Sequence, residues 1–475
     1  MAASDETISM SRRFYLETVG CQMNVLDSEL VATSLTNAGF EQVASHRQAD
    51  VILFNTCSVR QHAEDKIYSA IGRLKDVKKY HPNKIVGVIG CMAQKDQTLI
   101  FKRAPHVDLV VGSGQLGLLT TLINRATAGE CELLEVGLDR KSNSLLSVQR
   151  SFAPYNPERG PDVKRGSHQS MVRIMYGCDK FCTYCIVPSV RGPEQSRSID
   201  EIEAEVRQLA NLALDDGVCL EVTLLGQTVN SYKCKLGNRT YRLSDLLYRL
   251  EEVNGLDRLK FVSNYPRHMT TDLLEAVRDL SKVSSYLHVP AQSGSNHMLK
   301  LMKRNYTVEE YRDMLAKVRE IVPNAAVTSD FIVGFCGETE EDFHETVDLV
   351  REERFKNSFI FKYSARIGTQ AAEKFEDSVP YDVKQSRNNE LLAIQNAITE
   401  EDNKKFVGRI VEILVSGPSK MSVKREEDGP IVQLTGRTIC DRIAVFEDDR
   451  KWIGRIIPVK IWSATALTLF GKRVE

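Results

Sequence analysis

The chain has almost no net charge: 63 Lys and Arg stand against 64 Asp and Glu, a formal charge of -1. A polyanionic partner would have to be held by local basic patches, because no global field draws it in. No uncharged apolar run has membrane-spanning quality; Leu109 to Asn124 lacks charge but is interrupted by Gly, Ser, Gln and Thr. No membrane partner is expected. Met1 to Arg13 contains no apolar h-region, so a secretory leader is not expected either, and a reducing cytoplasm is the expected location. An odd number of cysteines, 11 in 475 residues, does not suit a disulfide framework. The most telling absence concerns metal. Near Cys178, Cys182 and Cys185 there is no second CxxC pair and no His-x3-5-His to complete a four-ligand zinc site.

What is present is the run Gly177-Cys-Asp-Lys-Phe-Cys-Thr-Tyr-Cys-Ile186. Its cysteines are interleaved with Asp, Lys and Thr, which mark a loop and not a packed core. A four-iron cluster held by three thiolates keeps one iron open to a substrate or cosubstrate. CxxxCxxC with an aromatic residue before the last cysteine, here Tyr184, resembles the signature of radical S-adenosylmethionine enzymes. That resemblance implies a [4Fe-4S] cluster whose open iron chelates the methionine part of S-adenosylmethionine, and it places Tyr184 beside the cofactor.

The length predicts about three domains at roughly 150 residues each, and 42% hydrophobic residues suffice for sizeable cores. Around and beyond the triplet, apolar strand candidates occur at 171–176, 218–225, 258–263, 284–290, 325–333 and 357–363. Amphipathic stretches alternate with them: Ile202, Val206, Leu209 and Ala213 share a helical face, and Thr307-Val-Glu-Glu310 reads as a capping box. Six such units describe an open, partial barrel of parallel strands with ligands at the carboxyl strand ends. Gly226-Gln227, Ser263-Asn264, Gln292-Ser-Gly-Ser295 and Ser329-Asp330 fall within or near those ends. Gly226, Gln227, Ser263, Gln292, Ser329 and Asp330 are thus candidates for a cosubstrate pocket, glycine by close backbone approach and the others by polar contact.

An α/β pattern also precedes the triplet, with strands at 13–18, 50–54, 84–90 and 107–112 and helices at 26–38, 61–80 and 115–126. The first three strands each run into a cysteine, in Gly20-Cys-Gln-Met-Asn24, Asn55-Thr-Cys-Ser58 and Ile89-Gly-Cys-Met-Ala93. Spacings of 36 and 34 residues put Cys21, Cys57 and Cys91 at equivalent strand ends. Neighbouring parallel strands lie about 4.8 Å apart, so three such thiols can converge on one cluster. Cys131, Cys219, Cys234, Cys336 and Cys440 lack such context and read as structural.

Two triplets in one chain resemble the methylthiotransferases, whose N-terminal domain holds an auxiliary cluster through three separated cysteines. Within that family the Gly20–Asn24 and Asn55–Ser58 motifs, Leu224-Leu-Gly-Gln227, His288-Val-Pro-Ala-Gln-Ser-Gly-Ser295 and Ser329-Asp-Phe-Ile-Val-Gly334 look like the branch acting on N6-isopentenyladenosine of tRNA. Cys336 and Ile367 stand where the family usually has Pro, and Ser263-Asn-Tyr-Pro266 replaces a commoner Thr-Ser-His-Pro. The resemblance implies methylthiolation at C2 of the isopentenylated adenine next to the anticodon. It further implies two [4Fe-4S] clusters, S-adenosylmethionine as radical source and methyl donor, and an electron donor such as flavodoxin or ferredoxin. No side chain beyond the six cysteines is singled out as catalytic, and a monomer is expected. Two alternatives stand beside this reading. One is the same chemistry on threonylcarbamoyladenosine tRNA or a ribosomal-protein aspartate; the other is an RNA-binding iron-sulfur protein without turnover.

Residues 138–168 are polar and carry Pro and Gly, and Arg159, Lys164, Arg165 and Arg173 approach the cysteine loop, as candidates for a phosphate backbone or as a solvated charge run. Five strand-like runs follow at 408–415, 431–436, 439–446, 453–461 and 465–470, suggesting a small barrel. Leu434-Thr-Gly-Arg-Thr438 with Asp441-Arg442 resembles the family's RNA-binding TRAM domain, which implies phosphate contacts for Arg437 and Arg442, with Lys404, Lys405 and Arg409 as further candidates. The expected architecture is α/β: an N-terminal parallel-sheet domain at 12–130, a linker at 131–166, a partial (β/α)6 barrel at 167–398 and a small β-barrel at 400–470.

Overall fold

The computed structural model describes residues 12–58, 61–138 and 168–474. It divides into two compact units: Met1–Val163 with Ile186–Pro193, and Lys164–Cys185 with Glu194–Glu475. Most of the expected linker, including Arg159, Lys164 and Arg165, lies outside the described residues.

In the first unit β1 (Arg13–Val19), β2 (Glu41–Gln42), β3 (Val51–Thr56), β4 (Ile85–Gly90), β5 (Leu109–Gly112) and β6 (Leu133–Glu135) form a parallel sheet in the order 2-1-3-4-5-6. β3 and β4 are buried along their whole length because helices cover both faces. Val31, Leu35, Leu119 and Ile123 pack on one side, and Ile67, Ile71, Leu74 and Phe101 on the other. β6 falls inside the stretch expected to be linker, so the first domain extends beyond residue 130. From β1 the chain turns to the edge strand β2 and then returns to β3 on the opposite side of β1. That reversal of order opens a crevice at the carboxyl ends of β1 and β3, the place where doubly wound sheets take ligands.

The second unit starts with β7 (Gln169–Arg173) and a short ribbon of β8 (Met175–Tyr176) with β9 (Gln195–Ser196) at the base of the cysteine loop. There follow β10 (Glu221–Leu225), a hairpin of β11 (Lys233–Leu236) and β12 (Arg239–Arg242), β13 (Arg258–Phe261), β14 (Tyr286–His288), β15 (Ala326–Val333) and β16 (Asn357–Lys362). β13, β10 and β7 pair in parallel, as do β14, β15 and β16, and a parallel bridge from Leu259 to Val283 links the two groups. Six parallel strands therefore line an open barrel. The helix Ile199–Asp215 buries Ile202, Val206, Leu209 and Ala213 against them, as its periodicity requires. At the start of helix Val308–Ile321 the Thr307 hydroxyl accepts from the Glu310 N–H at 3.3 Å, and the Glu310 carboxylate accepts from the Thr307 N–H at 3.0 Å. The capping box read from sequence thus forms.

A long helix, Tyr381–Lys404, leads to a closed barrel of β17 (Ile410–Pro418), β18 (Ile431–Thr438), β19 (Ile443–Asp449), β20 (Ile456–Ala464) and β21 (Leu469–Arg473). Alternating Ile413, Val415, Val432, Leu434, Phe446, Val459 and Ile461 fill its interior. Its β18–β19 turn docks beneath the six-stranded wall. Asp441, at φ 61°, accepts from Lys260 Nζ at 2.8 Å, and Lys356 Nζ donates to the Asp441 carbonyl at 2.6 Å. Burial pushes Lys356 down to about 8, against the pull of the Asp441 carboxylate. Asp441→Asn keeps the left-handed backbone accessible but removes the carboxylate beside the buried Lys356, while Lys260 retains Glu221 at 2.9 Å. We expect a loss of about 3 kcal/mol in a denaturant titration of the full chain; an unchanged midpoint would show that the turn is not held electrostatically.

Candidate functional site

The cysteine loop is fixed by backbone at both ends. Gly177 at φ 72° and Phe181 at φ 50° bend it, the Thr183 N–H donates to the Met302 carbonyl at 3.1 Å, and the Thr183 hydroxyl donates to the Leu301 carbonyl at 2.8 Å. Cys182 is buried while Cys178 and Cys185 are partly open. Burial pushes the Cys178 thiol up, partly offset by Thr228, whose hydroxyl oxygen lies 3.5 Å from the sulfur. Beside Cys182 lies the buried Arg304, with Nη1 donating to its sulfur at 3.5 Å. Three thiols with a guanidinium against one of them suit an anionic cluster. Among the described residues no three His, Cys, Asp or Glu side chains converge on a single ion. A cubane takes one thiolate per iron and needs no such convergence. Tyr184 packs against Met298, Met302 and Phe335, and burial, then the neighbouring Cys182, pushes its phenol well up.

The expected pocket residues separate into two groups. Gln227 Oε1, Asn264 Oδ1 and Asp330 Oδ1 are buried side-chain oxygens without a hydrogen-bond partner, an expensive state that a bound ligand would relieve. Ser263 and Gln292 take left-handed backbone, φ 70° and 76°. Gln292 holds that shape by donating its N–H to the Asp330 carbonyl at 2.9 Å. Two expectations change. Ser329 lies in mid-strand, fully buried, and its hydroxyl oxygen accepts from the Ala291 N–H at 2.9 Å, so it fixes the loop entering Gln292. Gly226 is required by packing in any case: a Cβ there would stand 2.3 Å from Met175 Cγ.

In the first unit, Cys21, Cys57 and Cys91 follow the adjacent strands β1, β3 and β4. Cys21 and Cys57 therefore stand at the crevice left by the reversal of strand order. A buried amide pair shapes their turns: Asn24 Nδ2 donates to Asn55 Oδ1 at 3.1 Å, and Asn55 Nδ2 donates to the Asn24 carbonyl and to the Ser28 hydroxyl, both at 2.9 Å. The turns approach so closely that a Cβ on Gly20 would lie 2.8 Å from the Cys57 Cβ. A hydrogen bond from Cys57 brings the Cys21 thiol down to about 6, against its burial, with Arg191 assisting; burial pushes Cys91 up. Cys21 also occupies the N-cap position of the helix Gln22–Asn37, whose N-terminal dipole favours a thiolate, though its side chain makes no cap hydrogen bond.

Sequence reasoning missed Arg191. The helix Val187–Arg191 belongs to this unit, packs Val190 on Cys91, and places Arg191 Nε 3.1 Å from the Cys91 sulfur. Arg191 Nη2 pairs with Asp27 at 2.7 Å, the two side chains 2% and 0% exposed. A thiolate triplet with a charge-neutralised guanidinium on its sulfur suits a second cluster. A lone arginine in an otherwise uncharged stretch, Ile186-Val-Pro-Ser-Val-Arg191, was the available signal.

The RNA candidates are also revised. Arg442 is buried, pairing with Asp402 at 2.6 Å and lying over Phe406, so it ties the barrel to the long helix instead of facing solvent. Arg437 pairs with Asp441 at 2.8 Å, and Lys404 and Lys405 pair with Glu400 and Asp402. Arg409 lies over Phe406. A different barrel face presents Lys460 opposite Lys472 across β20 and β21, with Trp462 65% exposed beside Phe470.

A family model for the radical SAM superfamily matches residues 172–350, and one described as uncharacterized protein family UPF0004 matches residues 13–112. The structure of the radical S-adenosylmethionine methyltransferase TsrM from Kitasatospora setae, with cobalamin and a [4Fe-4S] cluster bound, resembles this fold at a TM-score of 0.52 and 15% identity, covering 76% of this chain and 77% of that one. The fold and the cysteine loop define a radical S-adenosylmethionine enzyme. A Rhodopirellula baltica protein named tRNA-2-methylthio-N(6)-dimethylallyladenosine synthase is 52% identical over 98% of this chain and 96% of its own length. A Clostridium botulinum protein of the same name is 40% identical over 98% of both. The chain belongs to this family of tRNA methylthiotransferases.

Asp27→Ala would leave Arg191 buried without its carboxylate. We expect about 3 kcal/mol of destabilisation and a loss of iron confined to the share lost in Cys57→Ala; full iron content at unchanged stability would remove Arg191 from the site.

Proposed function

We propose that this protein methylthiolates C2 of N6-isopentenyladenosine next to the anticodon, giving 2-methylthio-N6-isopentenyladenosine in tRNA. The observation that carries this reading is the second thiol triplet, Cys21, Cys57 and Cys91, at the carboxyl ends of the adjacent strands β1, β3 and β4 of the first unit. A generic radical initiator needs only Cys178, Cys182 and Cys185. When bound, the clusters supply an open iron for S-adenosylmethionine, the electron that cleaves it to a 5'-deoxyadenosyl radical, and a second open iron to carry sulfur.

The chain's own residues orient and exclude. Gln227, Asn264 and Asp330 offer their unpartnered oxygens to the ammonium and hydroxyl groups of S-adenosylmethionine. Ser263 and Gln292 aim that rim through their left-handed backbones, and Tyr184 closes the far side of the loop. Along the barrel wall His288 meets Phe359 at 6.4 Å, and Phe359, half exposed, stacks with Phe361 at 6.5 Å. Such a wall suits an unpaired anticodon-loop base bearing an apolar substituent. An aromatic C–H is not appreciably acidic, so an ordinary side-chain base could not remove it, and none is assigned. Lys460, Lys472 and Trp462 offer cations and a stacking face to RNA on the C-terminal barrel. We further propose a monomer in the cytoplasm served by a flavodoxin- or ferredoxin-type donor. No helix among the described residues is long and apolar enough to cross a membrane.

Nucleoside analysis of tRNA from a deletion strain carrying this chain should show the methylthio-isopentenyl product. With reconstituted protein and dithionite, Cys182→Ala should abolish both 5'-deoxyadenosine release and product. Cys57→Ala should retain release and lose product. Unchanged methylthio-isopentenyladenosine in the deletion strain, or product from Cys57→Ala, contradicts the assignment.

A further inference from the structure

Arg304 is a guanidinium taken almost wholly out of water, 6% exposed, and no carboxylate among the described residues pairs with it. Its donors go to neutral oxygens and one sulfur: Nε to the Tyr306 hydroxyl at 2.9 Å, Nη2 to the Pro290 carbonyl at 3.0 Å and Nη1 to Cys182 Sγ at 3.5 Å. The rings of Tyr265 and Tyr306 flank it, with the guanidinium carbon 5.0 and 5.1 Å from their centroids. Tyr265 also donates its hydroxyl to the Arg304 carbonyl at 2.6 Å, so the side chain that replaces the family's commoner His fixes this arginine. A buried cation without a counter-charge is strongly unfavourable, and the tyrosines offset only part of that cost. The remaining group that its donors reach is the sulfur of Cys182, a proposed cluster ligand. Arg191 differs, because Asp27 already neutralises it.

We infer that Arg304 is the counter-charge of the radical-generating cluster, a positioning residue whose buried guanidinium sets the reduction potential of the iron bound through Cys178, Cys182 and Cys185. The inference rests on that ligand assignment. A three-thiolate cluster is anionic and gains another negative charge on reduction, so a fixed cation hydrogen-bonded to its sulfur favours the reduced state. The effect is large because the surroundings are poorly polarisable. It would bring a low-potential centre within reach of a one-electron donor.

The test is an EPR-monitored redox titration of the full chain carrying Cys21→Ala, Cys57→Ala and Cys91→Ala, so that one cluster is titrated. Adding Cys182→Ala must abolish the signal; a signal that survives it overturns the ligand assignment, and the inference with it. Adding Arg304→Gln should lower the reduced-to-oxidised ratio at fixed potential about tenfold, equivalent to 59 mV for one electron. Adding Arg304→Lys, which keeps the charge, should hold the ratio within threefold of the parent. A decrease of less than threefold in Arg304→Gln, or any rise, overturns the inference. Should Arg304→Gln fail to retain iron, Arg304→Lys decides: a parent-like potential supports the role of charge, while loss of iron or a shift beyond threefold overturns it.

Discussion

A guanidinium taken out of water beside a cysteine sulfur is the constraint on which both thiol sites depend. Arg191 lies on Cys91 and Arg304 on Cys182, each almost completely buried. Burying such a group costs several kcal/mol unless an anion and good hydrogen bonds accompany it, so each arginine restricts what its neighbours can be. Around Arg191 the requirement is met by Asp27 on the helix that Cys21 caps. Around Arg304 stand two tyrosines, a carbonyl and the Cys182 sulfur. The structure therefore contains one neutralised cation and one that is balanced only when its cysteine is anionic.

The sheets place these groups with little freedom. In the first unit the reversal of strand order leaves an opening at the carboxyl ends of β1 and β3, and the Asn24–Asn55 amide pair holds the two turns there together. In the second, the open wall of six parallel strands lets the cysteine loop rest on the Leu301–Met302 backbone while Asn264 and Asp330 keep unpaired oxygens along the wall. The Lys260–Asp441 contact fixes the C-terminal barrel beneath that wall.

Much of this was legible in the sequence because hydrophobic period and motif spacing are local properties. The strands leading to Cys21, Cys57 and Cys91, the six core strands, the Thr307 cap and all five barrel strands follow from them. The shortest strands did not, since Glu41–Gln42 and Leu133–Glu135 are too brief to show alternation. Helix Tyr381–Lys404 was not legible in the sequence, because its apolar stripe is weak and interrupted by buried polar groups such as Lys384, Arg387 and Gln395. Charge was the least legible property. Arg442 looks like a phosphate ligand until Asp402 is beside it, and Arg191 and Arg304 look like surface residues until a sulfur is. These are tertiary pairings over 40 to 122 residues of chain, and no periodicity encodes them.

The central claim is that two separate thiolate triplets each hold a four-iron cluster. Iron and acid-labile sulfide counts, with Mössbauer spectra, on anaerobically reconstituted full-length protein test it most directly. The account predicts about eight irons per chain for the parent and about four when Cys21, Cys57 and Cys91 are all replaced by alanine, with the surviving quadrupole doublets perturbed by added S-adenosylmethionine. About four irons in the parent, or no loss on removing that triplet, would contradict it.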